Sequence, residues 1–376
     1  MFYLSGTYRH FYFAQILSKK CIFQLRKGTT QYIIIIGKRE TYFNIRKHLY
    51  RLRQQMKTTY TYNEGINFLR AVSILGIVLY HIFPFSVRGG YLGVCFFFLI
   101  SGYLSAKNSE LRWEAEGLRI RKYYIKKGLR IYPALYIMVM SVIAFFTIFH
   151  PELLLGAREE AASIFLGYNN WWQMMTQASY FMKITEHSPF THLWYLGVEI
   201  ELLILWPLLY GIYKKQIEPR MGKQAFWFFA ILAVASVVAM AVMYHPENVN
   251  RVYYGTDTRA FSFLIGVVLG LKEDEWAQKK NILLQGDTGK ALFIASLLVT
   301  AALFILVPGE SDWLYRGGMA IISVYFAFIV YVMNQCDFSS MACSKNGVMQ
   351  WIGKYSYWIY LWHYPLLFII NLQHIF

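Results

Sequence analysis

The sequence predicts an all-α fold: a polytopic transmembrane helical bundle of about nine to ten spans. Three observations predict it. Hydrophobic residues make up 57% of the 376 and charged residues only 15%, where a water-soluble chain carries about a quarter charged. Aromatic residues alone reach 19%, more than a soluble surface hides. The apolar residues fall in long runs that approach the ~20 residues needed to cross a bilayer as a helix. These runs are too continuous for barrel strands, and lipid admits only helices or closed barrels. A soluble nucleic-acid reader, a disordered tail protein and a collagen-like chain are excluded as the main account.

Residues 1–57 come first and stand apart. The chain carries a formal net charge of +16, and this segment holds twelve of its basic residues against one acidic residue, Glu40. Its one apolar patch, 32–36, is far too short to span, and it lacks the apolar core and cleavage site of a signal peptide. A basic arm ahead of a first span faces the cytoplasm and its anionic lipids. The segment is either an amphipathic interfacial arm or lies upstream of a true start at Met56. On both readings it carries no chemistry, and residues 58–376 form the membrane domain.

The spans follow in order. Residues 66–85 are apolar apart from Arg70 and His81. Residues 90–106 are a second run, short and aromatic. The linker 107–130 carries Lys107, Arg112, Arg119, Arg121, Lys122, Lys126, Lys127 and Arg130, so the positive-inside rule places it in the cytoplasm. Residues 131–149 run outward again. Residues 161–175 are apolar but short and contain Asn169 and Asn170, which suits a broken or re-entrant segment or one pass of a weakly signalled pair. Later runs lie at about 193–212, 225–243, 259–271, 291–307, 314–333 and 356–371. No polar stretch between spans exceeds about two dozen residues, too few for a separate catalytic domain. Any chemistry therefore sits among the helices.

Cysteine and histidine spacing imply no metal. Cys21, Cys95, Cys336 and Cys343 form no CxxC pair, and the histidines include no HExxH.

Ionisable residues inside spans are costly and are functional candidates by default. Arg70 and His81 are eleven residues apart, roughly 16 Å along a helix. Eleven steps of about 100° bring them to within about 20° of one direction. They mark two points along one polar channel, or else a snorkelling arginine and a satisfied structural histidine. His192 and Glu199, seven apart, also share a face, whereas Glu201 points about 200° away from Glu199. A histidine and a carboxylate in one buried site are the parts of a general base with an orienting partner. Asp257 and Arg259 open an apolar helix. Asp257 caps it or acts in a site, and Arg259 snorkels or binds an anion. Lys126, Lys127 and Arg130 are a positive flank or a phosphate grip at a pore mouth. His363, among the aromatics of 356–365, belongs to an interfacial belt ending near Pro365 or to the site.

Six stretches, in this order, carry a resemblance. They are Asn67-Phe68-Leu69-Arg70-Ala71 with His81 following; the Gly89–Gly102 run; Arg130-Ile131-Tyr132-Pro133; His192-Leu193-Trp194 through Glu199 to Trp206-Pro207; Tyr254-Gly255-Thr256-Asp257-Thr258-Arg259; and Ser356-Tyr357 through Tyr360-Leu361-Trp362-His363-Tyr364-Pro365. With them, residues 60–371 resemble the acyltransferase-3 family of integral-membrane O-acyltransferases. The resemblance implies transfer of an acyl group, most often acetyl from acetyl-CoA, to a hydroxyl of a cell-surface or lipid-linked glycan at the bacterial plasma membrane. It implies critical roles for Arg70 and His81, and for the basic pair Lys127 and Arg130. Lys127 stands where the family usually has Arg, keeping the charge but losing the bidentate fork. The family's adjacent carboxylates are separated here by Ile200, so only Glu199 is carried over. The family form implied is a membrane domain without the extracytoplasmic SGNH domain that some members add. The acceptor is then acylated directly or through a separate extracytoplasmic transferase.

The residues and the resemblance combine in one mechanism. CoA phosphates meet Lys126, Lys127, Arg130 and Arg70, and His81, oriented by Glu199 or another carboxylate, takes the proton of the attacking hydroxyl. An oxyanion donor is required, for which Arg259 is a candidate, and a covalent acyl relay is a variant. Membrane lipids and the acyl-CoA donor are expected partners, and nucleic acid is not. The rival readings are acylation of a secondary metabolite, succinyl transfer, and a proton-coupled transporter or flippase built from the same pore-lining charges.

Overall fold

The structure, a computed structural model of the chain, describes residues 12–17, 20–27, 30–36, 63–117, 119–151, 156–176, 188–278, 284, 286–336 and 338–373. The chain divides into two compact units, residues 1–59 and 60–376. In the first, β1 (Tyr12–Leu17), β2 (Lys20–Lys27) and β3 (Thr30–Ile36) form an antiparallel meander in sequence order. Tyr12 pairs with Leu25 and Cys21 with Ile36. The all-α expectation did not anticipate these strands.

The second unit is helical. Its first helix, α1 (Glu64–Ile82), opens on Asn63, whose side chain accepts from the Gly65 N–H at 2.8 Å. Glu64 in the first turn complements the helix dipole. There follow α2 (Leu92–Glu116), α3 (Ile120–Phe149), α4 (Ala157–Leu166), α5 (Asn169–Met175), α6 (Trp194–Ile212) and α7 (Glu218–Met221). The chain continues through α8 (Trp227–Met243), α9 (Val249–Tyr254), α10 (Thr256–Gln278), α11 (Gly286–Leu306), α12 (Met319–Gln335), α13 (Gly347–Lys354) and α14 (Ser356–Gln373). Residues 161–175 are indeed broken. Gly167, at φ 79°, separates α4 from α5 in the left-handed conformation that favours glycine.

The span count needs correction. Among the described residues five helices are long and apolar enough to cross a membrane: Glu64–Ile82, Ile120–Phe149, Thr191–Gln224, Gly286–Leu306 and Leu314–Gln335. A sixth arises if Trp227–Met243 and Pro246–Tyr254, bent by 108°, make one span. The nine to ten expected from sequence overcount for a physical reason. The runs at 90–106 and 259–271 are apolar because α2 and α10 lie inside the protein. Phe96, Phe98 and Leu99 on α2 and Phe261, Phe263 and Val267 on α10 are fully buried. Charges then follow at once, Lys107 on α2 and Lys272, Glu273, Asp274 and Glu275 on α10. The run at 356–371 is diluted by Tyr, Trp and His. A sequence does not distinguish an apolar face turned to protein from one turned to lipid. Lipid-type exposure is found on α3, α8 and α11, where Leu129, Ile148, Ile231, Val242, Leu298 and Leu306 are all exposed. The chain is a multi-pass membrane protein.

Two glycines set the central contact. A Cβ on Gly102 of α2 would lie 1.9 Å from the Phe263 carbonyl oxygen, and one on Gly266 of α10 2.0 Å from that of Leu99. The two backbones therefore approach through reciprocal glycines, as small residues allow in membrane bundles. This contact fixes the depth of Ser101, next to Gly102, opposite α6.

Candidate active site

A cavity of about 160 Å³ opens among α1, α2, α3, α6 and α14. Basic residues dominate its charged lining. Arg70 comes from α1, Arg112 from α2, and Lys126, Lys127 and Arg130 from the opening turns of α3. The α3 cations lie at i, i+3 and i, i+4 spacings, where like charges destabilise an isolated helix. Among the described residues no carboxylate lies within ion-pair distance of Arg70, Lys127 or Arg130. Lys127 Nζ sits 5.7 Å from the centre of the Tyr123 ring. A cluster of this kind gains most from a polyanionic ligand.

Among the described residues one carboxylate lines the cavity with these cations. Glu199 of α6 is buried, and its Oε1 accepts a hydrogen bond from Ser101. Its Oε2 is buried without a hydrogen-bond partner, while Lys127, Arg130 and Arg70 act on it electrostatically. The sequence separated Glu199 from Glu201 correctly. Glu201 instead accepts from Trp171 Nε1 at 2.7 Å and from Thr256.

Three histidines far apart in sequence meet beside this cavity. His81 lies in the last turn of α1, His192 in the 3₁₀ turn Thr191–Leu193 before α6, and His363 in α14. The rings of His81 and His363 are 5.1 Å apart and those of His192 and His363 5.3 Å. Tyr364 packs against both His81, at 5.1 Å, and His192, at 5.0 Å. The backbone fixes the protons. His363 Nδ1 faces the Tyr360 carbonyl at 2.6 Å, and His192 Nε2 faces that of Leu361 at 3.2 Å. A carbonyl only accepts, so these nitrogens carry the hydrogens. His192 Nδ1 is then a buried lone pair with no hydrogen-bond partner. His81 Nδ1 lies 2.9 Å from the Ile77 carbonyl, which assigns its second nitrogen, Nε2, the lone pair.

Tyr360 joins the two groups. It lines the cavity, its ring lies 5.3 Å from His192 and 5.7 Å from His363, and its hydroxyl donates to the His192 carbonyl. Tyr357, on the same helix, donates to the Ile131 carbonyl at 2.9 Å and ties α14 to α3. Pro365 lies inside α14 and does not end it.

The other candidates fall elsewhere. Asp257 ion-pairs with Arg251 at 2.7 Å. Burial alone would raise its carboxyl, but Arg251 overrides this and holds it below the usual carboxylate range. Arg259 is 1% exposed, with its guanidinium 5.0 Å from the Tyr253 ring centre and 5.5 Å from that of Trp194. Its hydrogen bonds go to the sulfurs of Met319 and Cys95. It is caged, and does not line the cavity. Sequence reasoning did not single out Ser101 or Tyr360 as site residues, nor Arg112 apart from its linker. A lone hydroxyl at 101 inside an apolar run was the available signal for the first. Glu160, also unnoticed, is buried on α4 outside the spans. Burial pushes its carboxyl up to about 7, against hydrogen bonds from Ser188 and Gln173, the latter at 3.0 Å. Although three imidazoles meet, no three His, Cys, Asp or Glu side chains among the described residues are arranged to hold a metal ion.

Residues 63–373 match the family model of the acyltransferase domain. Over 323 residues the chain is 31% identical to the peptidoglycan O-acetyltransferase OatA of Listeria monocytogenes, a match covering 83% of this chain and 51% of that protein. It is 30% identical to the O-acetyltransferase OatA of Staphylococcus aureus over 318 residues, 84% of this chain and 52% of that one. The chain spans about half the length of these curated relatives. No solved structure matches it significantly.

Proposed function

The chain belongs to the acyltransferase-3 family, and from that premise we propose that it is a membrane O-acetyltransferase. It moves acetyl from acetyl-CoA to a hydroxyl of a cell-surface glycan, with peptidoglycan, the acceptor in the name of the Listeria monocytogenes relative, as first candidate. The observation that carries the reading is the adjacency of two unlike groups. One is a cation-rich cavity with an unpaired carboxylate oxygen, and the other a histidine cluster joined to it by Tyr360. A polyphosphate donor and a proton transfer together need both.

The division of labour follows. Arg70, Arg112, Lys126, Lys127 and Arg130 neutralise the phosphates of the donor, and the arginines supply planar forks for phosphate oxygens. The acceptor hydroxyl attacks the thioester carbonyl while His81 Nε2 takes its proton. The tetrahedral adduct collapses, the C–S bond breaks, and the proton on His81 passes to the departing thiolate. Free CoA and an acetyl ester result, and His81 returns to its starting state. Arg70 and His81 lie on one face of α1, roughly 16 Å apart along the axis, so phosphate binding and proton transfer occupy opposite ends of one helix.

Mass spectrometry of wall and surface polysaccharide from a strain deleted for this chain tests the reading. The expected result is the loss of O-acetyl groups from one glycan, restored by the wild-type chain. An unchanged acetylation pattern across those glycans would overturn it.

A further inference from the structure

Three candidates stand outside the mechanism above: the caged Arg259, the buried Glu160 network, and the contact between His81 and His363. Only the last places two reactive groups within hydrogen-bond reach, with their protons settled by independent contacts. His363 Nδ1–H is committed to the Tyr360 carbonyl at 2.6 Å, which makes Nε2 of the neutral ring a hydrogen-bond acceptor. That nitrogen lies 3.2 Å from His81 Nδ1, and the same Nδ1 lies 2.9 Å from the Ile77 carbonyl. Both neighbours accept, so His81 Nδ1–H is shared between them. With both rings neutral, these three contacts agree on one placement of the two protons.

We propose that His363 is the positioning residue of His81, accepting its Nδ1–H so that Nε2 faces the acceptor hydroxyl as the base. The proposal rests on the reading of His81 as the base. A base needs the right tautomer and a fixed ring, and the group bonded to its other nitrogen supplies both. Here that group is an imidazole. Glu199, the carboxylate the sequence suggested for the task, has its Oε1 engaged by Ser101 among the cavity cations. When His81 takes the hydroxyl proton, its Nδ1–H becomes a charge-assisted donor, and the bond to His363 shortens and strengthens. No proton need leave His81 until it returns to the thiolate. His192 does not compete for the role. Its Nε2–H is held by Leu361, and its ring stacks on Tyr364. Around His363 stand His81 from α1, His192 from the turn before α6, and Tyr360 and Tyr364 from its own helix. The last-turn position of His81 explains why a second anchor is useful, since helix ends fray.

The test uses the full chain, purified and reconstituted in liposomes with acetyl-CoA and soluble peptidoglycan fragments, with release of the CoA thiol as readout. His363→Leu keeps bulk and removes the acceptor. His363→Gln places an amide oxygen near the position of Nε2 and restores it. The expected result for leucine is a fall in kcat of about 10²-fold, at the low end of what loss of a whole base costs. The KM for acetyl-CoA should stay within about twofold, and glutamine should recover most of the rate. A purely structural role would lower both variants alike, or change the folded fraction and melting temperature without this split. Wild-type kcat in the leucine variant, equal loss in both variants, or failure of both to fold would each overturn the proposal. His81→Gln, run in parallel, separates the two claims. Turnover in His81→Gln defeats the base itself, whereas a dead His81→Gln beside a fully active His363→Leu defeats only the pairing.

Discussion

Replacing Lys127 by alanine removes one of five cations around the cavity and leaves the fold of α3 intact, since alanine is the better helix former. The side chain makes no ion pair with a described carboxylate, so no native salt bridge is lost. Its charge does act on Glu199, and its Nζ rests 5.7 Å from the Tyr123 ring centre. The loss therefore falls on the ligand. Two unit charges at 4 Å interact by about 1 kcal/mol in water and about 4 kcal/mol at an effective dielectric of 20. With four cations remaining to share the phosphates, about 1–2 kcal/mol is expected, or roughly tenfold in affinity. Initial rates against acetyl-CoA concentration in proteoliposomes should show KM for the donor raised about tenfold and KM for the acceptor unchanged. Added salt should weaken the wild type more than the variant, because fewer screened contacts remain. Lys127→Arg should retain or improve donor affinity by supplying a planar fork. A rise in acceptor KM with donor KM unchanged would refute the assignment of this cavity to the donor.

Other outcomes follow from the same structure. Glu160 carries a carboxyl raised to about 7 against about 4.3 in an unfolded chain, so the folded state holds the proton more tightly. Its stabilising contribution is present below about pH 4 and lost as pH rises through 7. Glu160→Gln should flatten that dependence and gain up to about 3 kcal/mol over wild type above pH 7, read by thermal melting in detergent; parallel melting profiles would contradict it. Gly102→Val should cost at least about 1–3 kcal/mol, because its Cβ would meet the Phe263 carbonyl oxygen at 1.9 Å, and an unshifted melting temperature would show that α2 and α10 yield there. A chain beginning at Met56 should insert and retain acetyl transfer, and normal membrane levels without activity would assign residues 1–55 a role in the reaction.

Much of the candidate site is legible in sequence because membrane burial makes charge conspicuous. Arg70 and His81 stood out as costly residues on one helical face, and Glu199 and Glu201 were separated by helix geometry alone. The family stretches pointed to the same positions. What sequence did not give was the meeting of His81, His192 and His363. These lie more than a hundred residues apart along the chain, and no periodicity links separate helices. The partner assigned to His81 was accordingly a carboxylate, the commoner orienting group, where the structure brings an imidazole. Arg259 illustrates the opposite error. A charge opening an apolar helix resembled a ligand group, but aromatic rings of Trp194 and Tyr253 enclose it. The span count failed for a related reason. Hydropathy weighs how apolar a run is, not what it faces, so the protein-facing α2 and α10 were counted with helices that meet lipid. The strands of residues 12–36 lie in a basic segment whose one short apolar patch signals neither a span nor a strand.

His81 is the residue on which the proposed acetyl transfer most directly depends. Purified His81→Gln, reconstituted in liposomes, keeps side-chain size and hydrogen bonding but takes up no proton at neutral pH. Binding of acetyl-CoA, measured by calorimetry, should match the wild type, since the cations of the cavity are untouched. Release of the CoA thiol in the presence of peptidoglycan fragments should fall by about 10²–10⁴-fold. Near wild-type turnover with unchanged binding would contradict the account and leave His81 a structural histidine.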